Sequence, residues 1–353
     1  MATKLHRICL VRLSALGDVC LTVPLVRALQ RAFPEASITW VTTPPMLGLL
    51  EGLDGVEFVL TEKANHPFAY WKFYRRMKGR SFDVLLAAQA SFRAHFLYPL
   101  IRAPRKIGFA RSEARDSHGW FVNEHVPGGR DHLLDSFLKF ARALGVEHPA
   151  IEWRLPIGKS DISFAQDRLK GEHWIAVNPM ASKPERMWPP EAYTDLIKAC
   201  LDRWKCNVVL TGGPAKAEQL LGKSLAAGFS QDRVVNLVGQ TTPKQLAAVL
   251  ARAKVLVAPD TGPVHIATAM GTPVVGLYAV APPELSGPYN SQHLVVNRFP
   301  DAVRTILGKD PQSVRWKTRV KSPQAMALIT VNDVLAKLET ALAARSVAEM
   351  TGA

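Results

Sequence analysis

Residues 4–33 read KLHRICLVRLSALGDVCLTVPLVRALQRAF, and this segment alone indicates the fold class. Its first ten residues form an apolar run typical of a buried strand. The part from Val19 to Phe33 has the spacing of an amphipathic helix. A strand, a short turn and a helix in this order are typical of a doubly wound α/β domain, whose ligands bind beyond the carboxyl ends of the strands.

The same alternation continues along the whole chain, in two series. In the first series, further β-rich runs are separated by helical stretches, and HLLDSFLKFARALG closes it as a helix. The runs of the first series are SITWVTT, VEFVLT and FDVLLAAQ, and those of the second are WIAVNP, NVVLTGG, VVNLVG, KVLVAPD and PVVGLY. Strands that alternate with helices about every 20–30 residues predict parallel sheets covered on both faces.

Two series in tandem predict an α/β protein with two Rossmann-like, doubly wound domains. We place the N-terminal domain at 1–155 and the C-terminal domain at 172–330. The stretch from about 146 to 172 has no strong pattern and reads as a linker. A last helix over 331–348 is a candidate to pack back on the N-terminal domain.

The chain has the composition of a globular protein, with 353 residues, 48% of them hydrophobic and 21% charged. No apolar stretch is long enough to predict a membrane span. Arg7 and Arg12 interrupt the first apolar run, which is atypical of a signal peptide. We therefore expect a cytoplasmic protein.

The net charge is +14, from 44 basic and 30 acidic residues. The excess is concentrated in residues 63–130, where 13 Lys and Arg stand against 4 Asp and Glu, which gives +9. Such a field favours an anionic partner: nucleic acid, an anionic membrane surface or a phosphorylated acceptor. A solvated basic face without a specific partner is the remaining alternative.

The first candidate site is the turn RLSALGD, residues 12–18. Gly17 allows backbone or substrate to approach closely. Asp18 is compatible with two roles, a general base that takes a proton from an attacking hydroxyl and an N-terminal helix cap, and residue type alone favours the cap. The dinucleotide fingerprint GxGxxG is absent from this turn, which counts against a nicotinamide-dependent oxidoreductase.

A second candidate site lies at residues 258–271, APDTGPVHIATAMG. Here Asp260, Thr261 and Gly262 lead from a strand into a helix that carries His265. The unpaired N–H groups and the positive dipole end of a helix start suit a diphosphate. The alternative is that Asp260 or Thr261 caps the helix and that His265 is a packed histidine.

Two other strand-to-helix loops carry candidate ligand-binding residues. Lys183 and Arg186 are cations suited to neutralise the phosphates of a leaving nucleoside diphosphate. Gly212 and Gly213 form an open turn, and Glu218 is a candidate for a ribose hydroxyl. Ordinary solvated side chains are the alternative for each charged residue.

Metal and redox chemistry find no support in the sequence. Cys9, Cys20, Cys200 and Cys206 form no CxxC pair and have no histidine at a metal-binding spacing, so packed, reduced thiols are expected. No DxD motif supplies the paired carboxylates of a metal-dependent nucleotide-sugar transferase. We therefore expect no metal and no other cofactor.

Together these segments resemble the ADP-heptose:lipopolysaccharide heptosyltransferases, glycosyltransferase family nine. The resemblance runs from residue 6 to about 340, and the combination of RxSxxGD with DTGPxHxAxAxGxP is specific. It implies two Rossmann-like domains in a GT-B arrangement with an interdomain cleft. It also implies an inverting, metal-independent transfer of heptose from ADP-heptose to the inner core of lipopolysaccharide. The matching motifs are RLSALGD, FDVLLAAQASFRA, RKIGFAR, ERMWPPEAY, VVLTGGP, NLVGQTT, APDTGPVHIATAMGTPVVGLY and PELSGPYN.

The resemblance implies a role for each candidate residue, with the acceptor on the N-terminal domain and the nucleotide sugar on the C-terminal domain. Asp18 matches the catalytic aspartate of the family, which favours the general base. Arg186 stands where the family usually has a lysine, and Lys183 is three residues earlier, so both are candidate cations for the diphosphate. The candidate donor contacts are Asp260, Thr261, Gly262, His265, Gly212, Gly213 and Glu218. The candidate acceptor contacts are Gly17, Gln89, Arg93, Arg105, Lys106, Arg111, Arg115 and His132.

The chain departs from the family pattern at Ala87 and Ala90, where an aspartate and a glycine are common. Three alternatives stay open: a GT-B transferase that uses a UDP- or ADP-hexose, a heptosyltransferase with another acceptor position, and a nucleic-acid-binding protein. The last explains the charge but lacks a reader motif, so we expect no nucleic-acid partner. Instead we expect the basic charge to bring the protein transiently to the anionic inner face of the cytoplasmic membrane.

Overall fold

The computed structural model describes residues 5–62, 67–111 and 118–351, with side chains as far as residue 344. The chain divides into two compact units, Met1–Pro156 and Ile157–Ala353. Each unit is built on a six-stranded sheet in which all neighbouring strands are parallel.

The first unit alternates strands and helices from its start. Its strands are β1 (Arg7–Val11), β2 (Ser37–Thr42), β3 (Val56–Leu60), β4 (Val84–Ala87), β5 (Arg105–Gly108) and β6 (Glu124–His125). Its helices are α1 (Leu16–Ala32), α2 (Pro44–Leu50), α3 (Pro67–Met77), α4 (Phe92–His95) and α5 (Leu133–Ala143), with short 3-10 helices at Tyr98–Leu100 and His118–Trp120. The strand order is β3-β2-β1-β4-β5-β6.

The second unit repeats this scheme. Its strands are β7 (Trp174–Val177), β8 (Asn207–Leu210), β9 (Val234–Asn236), β10 (Ala253–Pro259), β11 (Val274–Tyr278) and β12 (Val296–Asn297). Its helices are α6 (Lys159–Arg168), α7 (Pro190–Arg203), α8 (Lys216–Ala226), α9 (Pro243–Arg252), α10 (Gly262–Ala269), α11 (Pro283–Ser286), α12 (Phe299–Leu307), α13 (Gln324–Ala327) and α14 (Val331–Thr351), with 3-10 helices at Pro184–Arg186 and Tyr289–Leu294. The strand order is β12-β11-β10-β7-β8-β9.

The two sheets share one topology, so each has one place where the strand order reverses. In the first unit it lies between β1 and β4, and in the second between β7 and β10. Loops that leave these neighbouring strands diverge and open a crevice at the carboxyl edge of the sheet. The predicted α/β class with two doubly wound, Rossmann-like domains is confirmed.

The central strands are buried on both faces, which explains their continuous apolar runs. Ile8 to Val11 of β1 and all of Trp174–Val177 are buried. The core of the second unit is completed by Trp188, whose indole N–H donates to the Ile329 carbonyl at 2.9 Å. All four cysteines are buried free thiols, and burial raises the pKa of Cys9 and of Cys20.

Two segments differ from the sequence-based expectation. The stretch read as a linker contains α6, which shows little apolar periodicity because Ala165 is its one buried residue. Helix α14, a candidate from the sequence to pack on the N-terminal domain, belongs to the second unit: Val334 and Leu338 lie in the core of that unit, and Lys337 donates to the His293 carbonyl at 2.8 Å.

Among the described residues, every helix is too short or too polar to cross a lipid bilayer.

The start of α14 supplies a test of its attachment to the second unit. The Asp333 carboxylate accepts two hydrogen bonds from Arg298, at 2.7 and 2.9 Å, and one from the Thr330 N–H at 3.0 Å. Desolvation opposes the ionised form, but these hydrogen bonds hold the pKa of Asp333 below its ordinary value. We expect Asp333→Asn to lower the free energy of unfolding by about 1 kcal/mol at neutral pH.

A lowered carboxyl pKa stabilises the fold only while the group is ionised. The difference between wild type and Asp333→Asn should therefore be complete above about pH 4 and shrink as the pH falls further. Urea unfolding at a series of pH values measures this difference in the free energy of unfolding. Asp202→Asn, at an exposed position, is the control. A difference that grows on acidification would contradict this assignment.

Candidate active site

Arg12 occupies the crevice of the first unit, directly after β1. Its guanidinium donates to the Ala88 carbonyl in the loop after β4, at 2.8 Å, and to the carboxylate of Asp18. It also lies over the Phe137 ring, 5.1 Å from the centroid. Since the Arg12 side chain is only 8% exposed, its charge depends on Asp18 for neutralisation.

Asp18 is the third residue of α1, and the N-cap position belongs to Ala15. The carboxylate also accepts from the Ala15 N–H at 3.4 Å, so it makes a capping contact from inside the first turn. The side chain is nevertheless 31% exposed. Arg12 therefore holds the carboxylate in place, and solvent or an acceptor can still reach it.

Gln89 joins the two loops of the same crevice. Its side-chain oxygen accepts from the Leu13 N–H at 3.1 Å, and its carbonyl accepts from the buried Tyr98 hydroxyl. Gly17 is buried beside Asp18 in α1. The structure thus brings Gly17, Asp18 and Gln89 together at one crevice.

The predicted acceptor contacts Arg105 and Lys106 lie elsewhere. Arg105 pairs with Val84 at the amino end of β4, whereas Gln89 follows the carboxyl end of that strand. The Arg105 guanidinium makes two hydrogen bonds to Glu124, at 2.7 and 2.8 Å. Lys106 donates to the Tyr98 carbonyl at 3.0 Å, and burial lowers its pKa. Both cations are engaged within the fold, away from Asp18.

The remaining predicted acceptor contacts have different surroundings. Arg93 is exposed on α4, and Arg111 follows β5 and donates to a ring nitrogen of His125 at 3.3 Å. His132 is buried and caps α5 by accepting from the Leu134 N–H at 3.1 Å, so its local role is structural. Arg115 lies outside the described residues.

Arg186 occupies the crevice of the second unit in a similar way. Its guanidinium lies 3.2 Å from the carboxylate of Asp260, which directly follows β10, and 3.2 Å from the Asp260 carbonyl. Arg319 lies 3.9 Å from the same carboxylate. Two guanidinium groups therefore lie against one carboxylate. Lys183 is exposed, and its carbonyl accepts from the Arg186 N–H.

Sequence reasoning missed Arg319. It lies in the segment between α12 and α13, outside every motif, and one arginine in an irregular segment gives no local signal of its partner. Arg12 was quoted with its turn but not assigned a role, since only the fold shows that its guanidinium reaches Asp18.

The start of α10 borders the crevice of the second unit. Thr261 is the N-cap residue, in an extended conformation, and its side chain makes no capping hydrogen bond. Gly262 is the first helical residue and is partly exposed. Pro263 has no N–H and the Val264 N–H donates to the Thr261 carbonyl, so the helix start presents the Gly262 N–H and a positive dipole end beside Arg186. His265 is only 5% exposed, which fits a packed histidine better than a ligand contact.

Glu218 is occupied with its own turn. Its carboxylate accepts from the Gly213 N–H at 2.6 Å. A Cβ atom at Gly212 would lie 3.1 Å from this carboxylate and 3.0 Å from Val238, so glycine gives the closest packing in this turn. The carboxylate shapes the loop after β8, and a ribose contact would have to use its remaining lone pairs.

A cavity of about 860 Å³ lies along β9, the outermost strand of the second sheet. Its lining includes all of Val234–Asn236 and the first residue of β7, Trp174. Ligands of doubly wound sheets bind where the strand order reverses, here between β7 and β10, so we assign this cavity no part in the candidate site. Within the described ranges, no group of three His, Cys, Asp or Glu residues is placed to hold a metal ion.

Comparison with known proteins identifies the family. A model of glycosyltransferase family 9, the heptosyltransferases, matches residues 70–304. The lipopolysaccharide core heptosyltransferase OpsX of Haemophilus influenzae is 32% identical over 337 residues, which cover 94% of this chain and 96% of that protein. This chain belongs to glycosyltransferase family 9. It is therefore a glycosyltransferase.

Other members of the family are similar over most of the chain. Lipopolysaccharide heptosyltransferase 1 of Escherichia coli K12 is 24% identical over 308 residues, which cover 82% of this chain and 92% of that protein. A family 9 glycosyltransferase from Veillonella parvula has a TM-score of 0.78 at 21% identity and covers 97% of this chain and 98% of its own. The E. coli heptosyltransferase WaaC, solved with ADP, has a TM-score of 0.69 at 21% identity and covers 95% and 97%. The two structures share the fold of this glycosyltransferase.

The part-buried ion pair of the first unit supplies a stability prediction. We expect Arg12→Met to lower the free energy of unfolding by about 2–4 kcal/mol, because Asp18 and the Ala88 carbonyl lose their partner. Asp18→Asn should also destabilise the fold, because the amide oxygen can still accept from Arg12 but leaves the buried guanidinium without a counter-charge.

Urea unfolding measures both variants of this pair, with Arg7→Met, an exposed arginine at the start of β1, as control. Equal losses for Arg12→Met and Arg7→Met would show that the ion pair does not hold the crevice together.

Proposed function

We propose that this glycosyltransferase transfers heptose from ADP-heptose to an anionic sugar of the lipopolysaccharide inner core, with inversion and without a metal ion. Membership of family 9 and the similarity to OpsX support the reaction class. The observation that carries the proposal is the pair of crevices at the carboxyl edges of the two sheets. One holds a reachable carboxylate, and the other holds two guanidinium groups beside a helix start.

The second unit is suited to bind the ADP-heptose. The Gly262 N–H at the start of α10 and the guanidinium groups of Arg186 and Arg319 match a diphosphate. Asp260 lies against both guanidinium groups and orients them. The solved E. coli heptosyltransferases that contain ADP and ADP-2-deoxy-2-fluoro heptose share the fold of this chain. We extend ADP-sugar binding to this chain as a proposal.

The first unit is suited to bind and activate the acceptor. The acceptor hydroxyl donates its proton to the Asp18 carboxylate while its oxygen forms a bond to the anomeric carbon of the heptose. The bond from that carbon to the diphosphate oxygen breaks, and ADP leaves with the electron pair. Attack from the side opposite the diphosphate inverts the configuration. Arg12 keeps Asp18 directed into the crevice throughout.

The cations of the second unit stabilise the leaving group. Negative charge grows on the diphosphate as the bond to the sugar breaks, and fixed guanidinium groups and the Gly262 N–H stabilise it without reorganisation. This arrangement takes the place that a divalent metal has in transferases with a DxD motif. Lys183, exposed in the same loop, is the candidate for an additional contact.

The acceptor of such a reaction is linked to a lipid, so we place the enzyme at the inner face of the cytoplasmic membrane. The net charge of +14 supports transient association with anionic lipid there. The partners that we propose are ADP-heptose, the anionic lipopolysaccharide-core acceptor and this membrane surface, without nucleic acid.

The general base is tested by Asp18→Asn. We expect turnover to fall by about 10²–10⁴, because the amide cannot take the proton, while the Kd for ADP stays unchanged. ADP release from ADP-heptose in the presence of an acceptor measures turnover, and Asp54→Asn in the same unit is the control. Full activity of Asp18→Asn would contradict the base.

The same assay tests the donor and the metal. UDP- and ADP-hexoses should release nucleotide far more slowly than ADP-heptose, and a chelator should leave the rate unchanged. Faster release from a hexose donor would assign this protein another nucleotide sugar.

The cationic crevice is tested by Arg186→Gln and Arg319→Gln. We expect each to raise the Kd for ADP and to lower turnover by about 10²–10³, because each removes a fixed donor to the diphosphate. Lys183→Gln should have a smaller effect, and the exposed Arg203→Gln on α7 should have none. Calorimetry with ADP gives the Kd values. Normal ADP binding by both crevice variants would place the nucleotide elsewhere.

A further inference from the structure

The first unit exposes an unusual number of large aromatic side chains. Of the described residues, those of this kind lie between positions 68 and 120: Phe68 (53% exposed), Trp71 (49%), Tyr74 (46%), Phe92 (58%), Phe96 (42%) and Trp120 (86%). We call these six residues the aromatic surface. Single exposed aromatic side chains are common in folded proteins, but a cluster of them marks a contact site.

The aromatic side chains of α3 and α4 form two groups of contacting rings. On α3, the Phe68 and Trp71 rings stack with centroids 5.3 Å apart. Phe92 meets Phe96, which directly follows α4, edge to face at 5.1 Å, and Phe96 meets Tyr70 of α3 at 6.1 Å. The Tyr70 hydroxyl donates to the Arg93 carbonyl at 3.0 Å and ties α3 to α4. The two groups therefore lie on helices that are in direct contact.

The fold does not need these rings for its core. Helix α3 buries Ala69, Phe73 and Met77, which follow one another at a spacing of four residues on its inner face. Phe68, Trp71 and Tyr74 lie on the opposite side, where an ordinary surface helix carries polar residues. These outward aromatic side chains therefore remain exposed to solvent after folding.

Cations are interleaved with the rings. The Arg75 guanidinium lies 5.1 Å from the centroid of the Trp71 ring, and the Lys72 ammonium lies 4.9 Å from that of Phe68 and 3.1 Å from the Glu62 carboxylate. Rings that are partly apolar and partly polar occupy the headgroup region of a bilayer, and neighbouring cations bind anionic headgroups. The aromatic surface carries both groups on the same helix.

The aromatic surface borders the crevice of the first unit. Phe92, at the start of α4, is three residues beyond Gln89, whose side chain accepts from Leu13 in the loop that holds Asp18. A bilayer on this surface would therefore present its headgroups next to the proposed general base.

We propose that the aromatic surface docks this enzyme on an anionic lipid bilayer, with the rings in the headgroup region and the cations against lipid phosphates. The inference deepens the proposed function, on which it rests for the lipid-linked acceptor. A second copy of the chain is a poorer occupant, because two surfaces with the same cations repel each other. An acceptor sugar is also a poorer occupant, because it would stack on one or two rings and leave most of this surface exposed.

Flotation with vesicles tests the docking surface on the full chain. Wild-type protein should bind vesicles of phosphatidylethanolamine and phosphatidylglycerol, and it should bind pure phosphatidylcholine vesicles weakly. Trp71→Ser/Phe92→Ser should reduce binding to the anionic vesicles by about tenfold, because two interfacial rings are lost. Leu220→Ser, a matched exposed apolar residue on α8, should bind as wild type does. Thermal melting of all variants, including each single variant, checks that the proteins stay folded.

Activity separates this proposal from the proposed function. With ADP-heptose and an acceptor that lacks acyl chains, the double variant should have wild-type kcat/KM, whereas with acceptor in vesicles it should be slower. If the wild type is inactive with ADP-heptose but binds vesicles through Trp71 and Phe92, the proposed function fails and the docking surface stands.

Three outcomes would overturn the docking surface. Wild-type vesicle binding by the double variant would show that charge elsewhere on the protein suffices. An equal loss of kcat/KM with the acyl-free acceptor would make the rings a sugar-binding site. A wild-type dimer that the double variant dissociates, without a change in vesicle binding, would make the surface an interface between copies.

Discussion

In a doubly wound sheet the strand order reverses at one place, where the loops of two neighbouring parallel strands leave in opposite directions. Backbone groups at this crevice have no partner in the sheet, and in both units of this chain an arginine supplies one. Arg12 reaches from the loop after β1 to the Ala88 carbonyl and to Asp18. Arg186 follows β7 and reaches both the carbonyl and the carboxylate of Asp260.

The arginine in each crevice has different electrostatic surroundings. In the first unit, one guanidinium and one carboxylate form a neutral pair, whose carboxylate is partly exposed and held in a fixed direction. In the second unit, Arg319 adds a second cation to the same carboxylate, and the helix start of α10 adds its dipole. The first crevice is suited to accept a proton, and the second is suited to hold a diphosphate. A transfer from a nucleotide sugar to a hydroxyl needs both.

Periodicity in the sequence was sufficient to predict the fold, because strands buried on both faces leave continuous apolar runs that need no tertiary information. It missed α6, whose single buried residue leaves almost no apolar spacing, and it left the position of α14 open. The turn after β1 and the start of α10 were recognisable because a strand, a glycine-containing turn and a helix are contiguous in the chain.

The sequence did not predict which charged side chains pair with each other in the fold. Arg105 and Glu124 lie on different strands, and Arg319 approaches Asp260 from an irregular segment, so no local pattern connects them. The basic charge of residues 63–130 was visible, but the sequence did not show which cations the fold neutralises. Helix α3 has aromatic residues on both sides, and only the structure shows that Phe73 points inward while Trp71 points outward.

The assignment of the nucleotide to the second crevice and of the acceptor to the first is tested most directly by hydrogen–deuterium exchange of the backbone amides with and without ADP. We predict that ADP slows exchange at Gly262, Val264 and His265, where α10 begins, and leaves residues 12–18 unchanged. Slower exchange at residues 12–18 with no change at the start of α10 would place the nucleotide on the first unit and contradict the assignment of both crevices.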